Sequence, residues 1–255
     1  MSKARYITGL RAVEQLLATK SAEIRQIYAE YQTANPRVQA VIAAAQKAGI
    51  EIQAANRARL TQISGESRHQ GIVAEILRST VRDEAWLRTL VEERLQDADR
   101  PPLLLLVLDG VQDPHNLGAC MRTADAAGVE AVIVPRHGAA GLGPTVSKVA
   151  AGAAEQLPFV AVANLKRVLG WLHDYGVRCI GTSDQAEGRL FEADLAGSVA
   201  LVMGREHTGL GKGIASRCDV LVSLPMQGVV ASLNVSVATG ICLYEIVRQR
   251  NLRLP

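Results

Sequence analysis

Short apolar runs alternate with helical patterns along the whole of this 255-residue chain. In the second half these runs are hydrophobic throughout, which is typical of strands in a parallel sheet that is covered on both faces. A long helix is predicted from Ser232 to Arg250. The strands predicted in this half are 103–109, 131–135, 158–162, 177–183, 198–204 and 220–225. The pattern therefore predicts an α/β fold class with a parallel sheet.

The first third of the chain shows the same alternation on a smaller scale. Helices are predicted at 9–19, 36–49 and 56–64, and strands at 24–30, 50–55 and 71–77. A charged stretch that ends in two prolines follows, and it reads as a connector. We therefore expect a small α/β domain over residues 1–78, a linker over 79–102 and a larger domain over 103–255.

Charge is distributed unevenly between these parts. Residues 1–80 carry 11 basic and 6 acidic side chains, whereas residues 101–255 carry 13 of each. The basic excess of the first part is compatible with contact with phosphate groups and with a solvated basic surface. An excess of this size does not favour one interpretation over the other. The chain has no apolar run of roughly 18 residues and no signal-peptide pattern near its start, so a cytoplasmic protein without a membrane span is expected.

Several common catalytic and binding motifs are missing from the sequence. The glycine-rich stretches 138–143 and 209–213 do not form a dinucleotide fingerprint after the first strand, which disfavours a dehydrogenase. The sequence contains no P-loop, no G-x-S-x-G and no H-E-x-x-H. Four cysteines lie far apart in sequence and are expected to be reduced and mostly buried, and no metal site is predicted.

Polar residues and glycines collect in three segments, each at the end of a predicted strand. These are DGVQDPHNLGACMRTADAAG from Asp109, LVMGREHTGLG from Leu201 and SLPMQGVVASLNVSVATG from Ser223. The edge where strands end and helices begin is where α/β folds place their ligands. A ligand site is therefore predicted there.

These segments resemble, in order, the three signature motifs of the SpoU (TrmH-type) branch of the SPOUT RNA 2′-O-ribose methyltransferases. NLGACMRTA from Asn116 fits the first motif, Gly204, Glu206 and Gly209 fit the second, and Pro225 with SLNVSVA from Ser232 fits the third. Within the branch, the chain most resembles enzymes that methylate a guanosine in 23S rRNA, through the sequences DGVQDPHNLGAC, SLNVSVATGICLYE and HQG (69–71). The resemblance covers about 150 residues of the second half.

The resemblance implies a catalytic domain whose sheet is threaded into a deep trefoil knot, dimerisation through that domain, and an L30e-like domain before it that binds RNA. It also implies S-adenosyl-L-methionine as the cofactor, bound largely through main-chain groups of the knot loops. The cofactor-binding positions carried over are Met203, Gly204, Gly209, Leu224, Met226 and Leu233. The catalytic positions carried over are Asn116, Arg122, Glu206, Ser232 and Asn234.

Each of these side chains also has an ordinary structural explanation. Arg122, whose guanidinium is effectively always protonated, is expected to anchor phosphate and ribose and to stabilise a developing alkoxide; the alternative is a surface ion pair with Asp125. Asn116 is expected to cap a helix while facing the site. Glu206 is expected to orient Arg122 or the substrate.

The remaining alternatives stay open on the sequence alone. For Ser232 and Asn234, helix capping and substrate contact are both compatible with their positions. Gly204 and Gly209 permit either close approach of a ligand or a tight turn. His69 is expected to be structural or to face RNA.

The sequence thus predicts a homodimeric enzyme that transfers a methyl group from S-adenosylmethionine to a guanosine ribose of 23S rRNA. A tRNA 2′-O-methyltransferase of the same branch is the alternative with the same chemistry. A non-catalytic RNA-binding protein and a nicotinamide-dependent oxidoreductase are the alternatives from other classes.

Overall fold

The computed structural model describes residues 5–21, 24–30, 33–76, 81–205 and 208–252. The chain divides into two compact units, the first made of Met1–Thr80 with Leu142–Gln156 and the second of Val81–Gly141 with Leu157–Pro255. In chain order the elements are β1 (Arg5–Thr8), α1 (Leu10–Lys20), β2 (Ile24–Glu30), α2 (Pro36–Lys47), β3 (Glu51–Ala55), α3 (Arg57–Ser64), β4 (Ile72–Ile76), α4 (Glu84–Gln96), β5 (Leu104–Leu108), α5 (Pro114–Ala126), β6 (Ala131–Pro135), α6 (Pro144–Ala150), α7 (Ala153–Gln156), β7 (Phe159–Val162), α8 (Leu165–Asp174), β8 (Arg178–Thr182), β9 (Gly188–Arg189), β10 (Val199–Met203), α9 (Lys212–Ala215), β11 (Val220–Ser223) and α10 (Val235–Asn251), with a short 3-10 helix at Leu190–Glu192.

The first unit is built on a mixed sheet with the strand order β1-β4-β2-β3. Strands β2 and β3 are parallel, and β4 runs antiparallel to both β1 and β2. Val38, Val41 and Ala45 lie on one side of α2 and are buried in the core of this unit, as their helical spacing requires. Helices α6 and α7 also belong to this unit, where they pack against β1 and α1.

The HQG segment of the first unit forms a buried turn. His69 is 1% exposed, and its Nδ1 accepts a hydrogen bond from the backbone N–H of Gly71 at 3.1 Å. Gln70 takes a left-handed backbone conformation, and its Oε1 accepts a hydrogen bond from the N–H of Leu10 at 2.9 Å. Of the two roles expected for His69, the geometry therefore supports the structural one.

The second unit is built on a sheet of seven strands among the described residues, in the order β7-β6-β5-β10-β8-β11-β9. Every pairing in it is parallel. All five residues of β5 and all five of β10 are buried, since helices cover both faces of the sheet. The predicted α/β fold with a parallel sheet is confirmed.

Part of the predicted linker, residues 79–102, folds into the second unit. Within it, α4 buries Leu87 and Val91, which lie four residues apart and join the core beside Val160. Just before the helix, the backbone of Arg82 is hydrogen-bonded to β7, with its N–H donating to the carbonyl of Phe159 at 2.8 Å. The charged residues just before and just after the helix are exposed, whereas those within it are mostly half-buried; this density of charge explains why the segment resembles a connector in sequence.

Three further properties bear on function. None of the described helices is long and apolar enough to cross a membrane, and the described residues form no group of three or more potential metal ligands. All four cysteines are free, as expected from their spacing. Burial raises the pKa of the Cys179 thiol to about 12, with a further contribution from Asp219, so this thiol stays protonated at neutral pH.

Candidate active site at the carboxyl edge of the parallel sheet

The three motif segments all lie at one edge of the sheet in the second unit. Strand β10 pairs with β5 on one side and β8 on the other, and β8 in turn pairs with β11. Because all these strands are parallel, their carboxyl ends meet at the same edge. The segments that follow β5, β10 and β11, each a loop with the start of a helix in the first and third cases, carry the first, second and third motif respectively.

Helix α5 presents the first motif. Asp113 is its N-cap, with Oδ1 accepting a hydrogen bond from the N–H of His115 at 2.9 Å, and Pro114 occupies the first turn. The prediction that Asn116 caps this helix is wrong: Asn116 is already its third residue. Asp and Asn are almost equally good caps, so the sequence could not tell them apart except through Pro114, which favours the first helical position.

Asn116 is joined to the third motif by a direct hydrogen bond. The Nδ2 of Asn234 donates to the Oδ1 of Asn116 at 3.0 Å. The Oδ1 of Asn234 accepts hydrogen bonds from the N–H of Ser236 at 2.9 Å and from its hydroxyl at 2.6 Å. Asn234 is thus both the N-cap of α10 and the link between two motifs that are 118 residues apart in sequence.

Ser232 lies two residues before that cap and is exposed. The capping role that its position allowed belongs to Asn234 alone. Helix α10 then packs along α5, where the thiol of Cys120 contacts the hydroxyl of Thr239 at 3.6 Å. This packing holds the starts of both helices at the same place.

Arg122 is exposed on α5, six residues after Asn116. It makes no hydrogen bond or ion pair within the part of the chain that the structure describes, and it does not pair with Asp125. The surface ion pair that was the structural alternative for Arg122 is therefore not formed. Among the described residues, no acceptor is bound to its guanidinium donors.

The second motif forms a closed turn after β10. Arg205 and Gly209 exchange both backbone hydrogen bonds at 3.0 Å. A Cβ on Gly204 would lie 2.2 Å from the carbonyl carbon of Gly209, and Gly209 has a φ of 62°. Both glycines are thus required by the turn itself. Glu206, the acidic residue of this motif, lies outside the described residues.

The predicted cofactor-binding residues lie at or after the carboxyl ends of β10 and β11, the two strands that flank β8. Met203 is the buried last residue of β10, and its carbonyl accepts a hydrogen bond from the N–H of Asp109 at 2.8 Å. Leu224 directly follows β11, and Leu233 directly precedes the N-cap of α10. Leu224, Met226 and Leu233 are half-buried, so their apolar side chains are partly available at this edge.

The loop over residues 224–233 leaves its backbone polar groups open. No hydrogen bond joins the backbone of these residues to any other described part of the chain. Unpaired N–H and C=O groups next to half-buried apolar side chains suit a nucleoside with a thioether or sulfonium chain, which needs main-chain partners and an apolar surface. The residues present therefore fit S-adenosylmethionine.

Two contributors to this edge were not identified from the sequence. Asp109, the first polar residue after β5, accepts a hydrogen bond from the N–H of Gly211 at 3.4 Å and so ties the first motif to the loop of the second. Thr182, at the end of β8, donates to the sulfur of Met203 at 3.6 Å. The change from apolar to polar residues at the end of each strand was the available signal.

Comparison with known proteins agrees with this layout. Residues 103–244 match the SpoU rRNA Methylase family, and residues 6–80 match a domain described as RNA 2′-O ribose methyltransferase substrate binding. The 23S rRNA (guanosine-2′-O-)-methyltransferase RlmB of Ralstonia nicotianae is 48% identical over 252 residues, which is 99% of this chain and 98% of that protein.

Solved structures give the same result. A crystal structure of an RNA 2′-O ribose methyltransferase is 31% identical, with a TM-score of 0.77 over 98% of this chain and 90% of the other. The SpoU methyltransferase AviRb from Streptomyces viridochromogenes, crystallised with the cofactor AdoMet, is 24% identical and shares the fold, with a TM-score of 0.78 over 98% and 92% of the two chains. With its three motifs gathered at one edge of the sheet, this chain belongs to the SpoU rRNA methylase family.

Proposed function

We propose that this protein transfers the methyl group of S-adenosylmethionine to the 2′-hydroxyl of a guanosine in 23S rRNA. The observation that carries the proposal is the Asn116–Asn234 hydrogen bond, which brings the first and third motifs together at the carboxyl edge of the sheet. The proposed substrate is the one in the name of the Ralstonia nicotianae relative, 23S rRNA (guanosine-2′-O-)-methyltransferase RlmB. That protein is 48% identical over almost the whole chain. Since the substrate is ribosomal, we place the reaction in the cytoplasm.

When bound, S-adenosylmethionine supplies an electrophilic methyl group on a sulfonium. The residues of this chain must hold the ribose so that its 2′-oxygen lies in line with that carbon, and must favour loss of the hydroxyl proton. Arg122 binds the neighbouring phosphate or the ribose and stabilises the negative charge that grows on the oxygen. The guanidinium stays protonated, so it acts as an electrostatic group and not as the base that takes the proton.

The other catalytic candidates position the substrate. Asn116 and Asn234 form a hydrogen-bonded amide pair, and this pair and the Ser232 hydroxyl orient the ribose. Glu206 orients Arg122 or the ribose. The cofactor contacts are assigned to Met203, Gly204, Gly209, Leu224, Met226 and Leu233, with the open backbone of residues 224–233 supplying the main-chain partners.

The two parts of the chain have separate tasks in this proposal. Residues 1–78 form an L30e-like domain that binds the RNA, consistent with their basic excess. Residues 79–102 lead from it to the catalytic domain at 103–255, against which their helix α4 packs. We further propose that the catalytic domain is knotted. Support comes from the sheet order, in which β10 inserts between β5 and β8, and from the return of α10 onto α5.

A homodimer is part of the same proposal. Val237, Ile241 and Tyr244 are spaced four and three residues apart on α10, so they share one face of the helix, and they are 52%, 36% and 52% exposed. A stripe of large apolar side chains on an otherwise well-packed helix is typical of a surface that a second copy covers.

The proposal is tested by mapping ribose methylations in the rRNA and tRNA of a strain that lacks this protein. Loss of one 2′-O-methylguanosine from 23S rRNA, restored by the wild-type gene, is the expected result. Loss of a ribose methylation from tRNA with 23S rRNA unchanged would favour the tRNA-modifying alternative. Unchanged methylation in both RNAs would favour a non-catalytic RNA-binding role.

A further inference from the structure

A cavity of about 620 Å³ lies at the opposite, amino edge of the sheet in the second unit. It is bordered by residues just before three strands: Pro101 and Pro102 before β5, Glu130 before β6 and Gly197 before β10. Its lining also includes Arg94, Arg100 and Arg250, together with Val247 and Asn251 near the end of α10. None of the candidate active-site residues borders it.

Positive charge dominates this cavity. Three arginines line it, whereas Glu130 is the one acidic residue among its lining residues. Arg94 has a side chain that is only 5% exposed, and it forms a bidentate ion pair with Glu130: Nε donates to Oε2 at 2.5 Å and Nη2 to Oε1 at 2.9 Å. Nη2 also donates to the carbonyl of Pro101 at 2.8 Å. Asp97 also acts electrostatically on Arg94, but it does not line the cavity. The Nη1 of Arg94 is buried without a hydrogen-bond partner.

Arg250 is held on the same wall in a similar way. Its Nη2 donates to the carbonyls of Leu103 at 3.0 Å and Gly197 at 2.8 Å, while its Nε is buried without a partner. Burial lowers the pKa of Arg250, although Glu130 opposes the shift, because a desolvated cation lacks sufficient negative charge around it. Two guanidinium groups therefore each have a buried donor with no acceptor, and a negative charge held in the cavity would stabilise both desolvated cations electrostatically.

Apart from Asn251, most of the rest of the wall is apolar and comes from two prolines, two alanines and Val247. Such a surface suits the flat face of a base or sugar, and the cavity volume falls in the range of small-molecule pockets, about 300–1,000 Å³. We propose that this cavity binds a nucleoside monophosphate unit, either a free nucleotide or one residue of an RNA chain. The phosphate lies near Arg94, Arg100 and Arg250, and the base lies against the apolar wall.

Calorimetry on the full chain tests this assignment, with uridine monophosphate as the probe and with S-adenosylhomocysteine present to fill the candidate cofactor site. Uridine monophosphate should bind once per chain, inorganic phosphate more weakly, and uridine without phosphate not measurably. A short oligouridylate that binds more tightly than the mononucleotide and displaces it identifies RNA as the source of the ligand. An oligouridylate that fails to displace it identifies a free nucleotide, and no binding of uridine monophosphate overturns the proposal.

Two variants keep the test specific to this cavity. Gly197→Leu places a large side chain at the border of the cavity, and it does so without strain, since the backbone at Gly197 is not left-handed and an added Cβ meets nothing within 4 Å. Arg100→Gln removes an exposed lining charge, and Arg217→Gln is the control at an exposed arginine outside the cavity. We expect binding to weaken roughly 10-fold or more in Gly197→Leu, and by a smaller factor in Arg100→Gln, with Arg217→Gln unchanged.

Thermal melts of the variants establish that each is folded. Unchanged uridine monophosphate binding in folded Gly197→Leu, or an equal loss in Arg217→Gln, contradicts the assignment. Should Gly197→Leu fail to fold, Arg100→Gln against Arg217→Gln decides. These comparisons measure uridine monophosphate binding between variants, so they hold even if S-adenosylhomocysteine does not bind. A failure of this site can therefore be distinguished from a failure of the proposed methyl transfer.

Discussion

Asn234 donates a hydrogen bond from Nδ2 to Oδ1 of Asn116 at 3.0 Å, while its own Oδ1 caps α10 through Ser236. One side chain thus has two separable tasks. The cap stabilises the helix, and the bond to Asn116 fixes the position of the first motif relative to the third.

Substitutions at Asn234 separate these tasks. Asn234→Ala loses both and should lower the free energy of unfolding by about 1 kcal/mol, as expected for a lost N-cap. Asn234→Ser keeps a capping oxygen but is too short to reach Asn116, so it should retain stability and still lose turnover. Urea unfolding and single-turnover methylation of both variants measure the two effects. Full activity in Asn234→Ser would show that the bond to Asn116 has no part in catalysis.

Substitutions at Arg122 test whether this residue is an electrostatic catalyst or an ordinary surface residue. Because it has no partner in the described part of the chain, Arg122→Ala should leave the melting temperature unchanged. If it stabilises the developing alkoxide, turnover should fall roughly 100-fold or more. Lysine should restore only part of the activity, since a point charge cannot reproduce the planar fork of the guanidinium.

The matched control for Arg122 is Arg217→Ala, at another exposed arginine of the second unit. Affinity for S-adenosylhomocysteine, measured by calorimetry, should be the same in both variants because the proposed cofactor positions lie in the second and third motifs. Near-normal turnover in Arg122→Ala would remove this residue from the catalytic set.

A substitution at Gly204 tests whether the closed turn of the second motif is needed for cofactor binding. A methyl group on this residue would lie 2.2 Å from the carbonyl carbon of Gly209, so Gly204→Ala must displace the loop. Overpacking of this kind costs roughly 1–3 kcal/mol, and we expect S-adenosylhomocysteine affinity to fall with it. Gly197→Ala is the control, since nothing lies within 4 Å of its added Cβ. Equal affinity in both variants would separate this turn from cofactor binding.

The basic excess of the first unit predicts a salt-dependent RNA affinity. Arg57, Arg59 and Arg68 are exposed in this unit, and their joint replacement by glutamine should weaken binding. The slope of log K against log salt should become shallower by about 0.7–0.9 for each RNA phosphate that the variant no longer neutralises. Replacing Arg189 and Arg217, exposed in the second unit, is the control and should leave the slope unchanged. An unaltered slope in the triple variant would mean that these arginines form a solvated surface.

The features predicted well from the sequence are those that depend on local pattern. The buried run Leu104–Leu108 identified β5, and the spacing of Val38, Val41 and Ala45 identified α2, because burial on one or both faces leaves a direct mark on the sequence. Strand β1 was missed, since four residues at the edge of a sheet carry too little pattern. The three motifs located the candidate site through the family resemblance.

The features that sequence could not supply depend on contacts between distant segments. In sequence, helices α6 and α7 resemble the other helices of the second half. Only their packing in three dimensions assigns them to the first unit. The Asn116–Asn234 bond spans 118 residues. The cavity around Arg94 and Arg250 draws its residues from several separate stretches, none of which carries a motif.

The most direct test of the central claim is methyl transfer in vitro. The purified full chain is incubated with labelled S-adenosylmethionine and with 23S rRNA from a strain that lacks the protein, and the RNA is digested to nucleosides for mass spectrometry. The account predicts label in 2′-O-methylguanosine and its disappearance when the modified nucleotide is replaced by 2′-deoxyguanosine in a short substrate. Label on a base, or transfer that persists on the 2′-deoxy substrate, would contradict it.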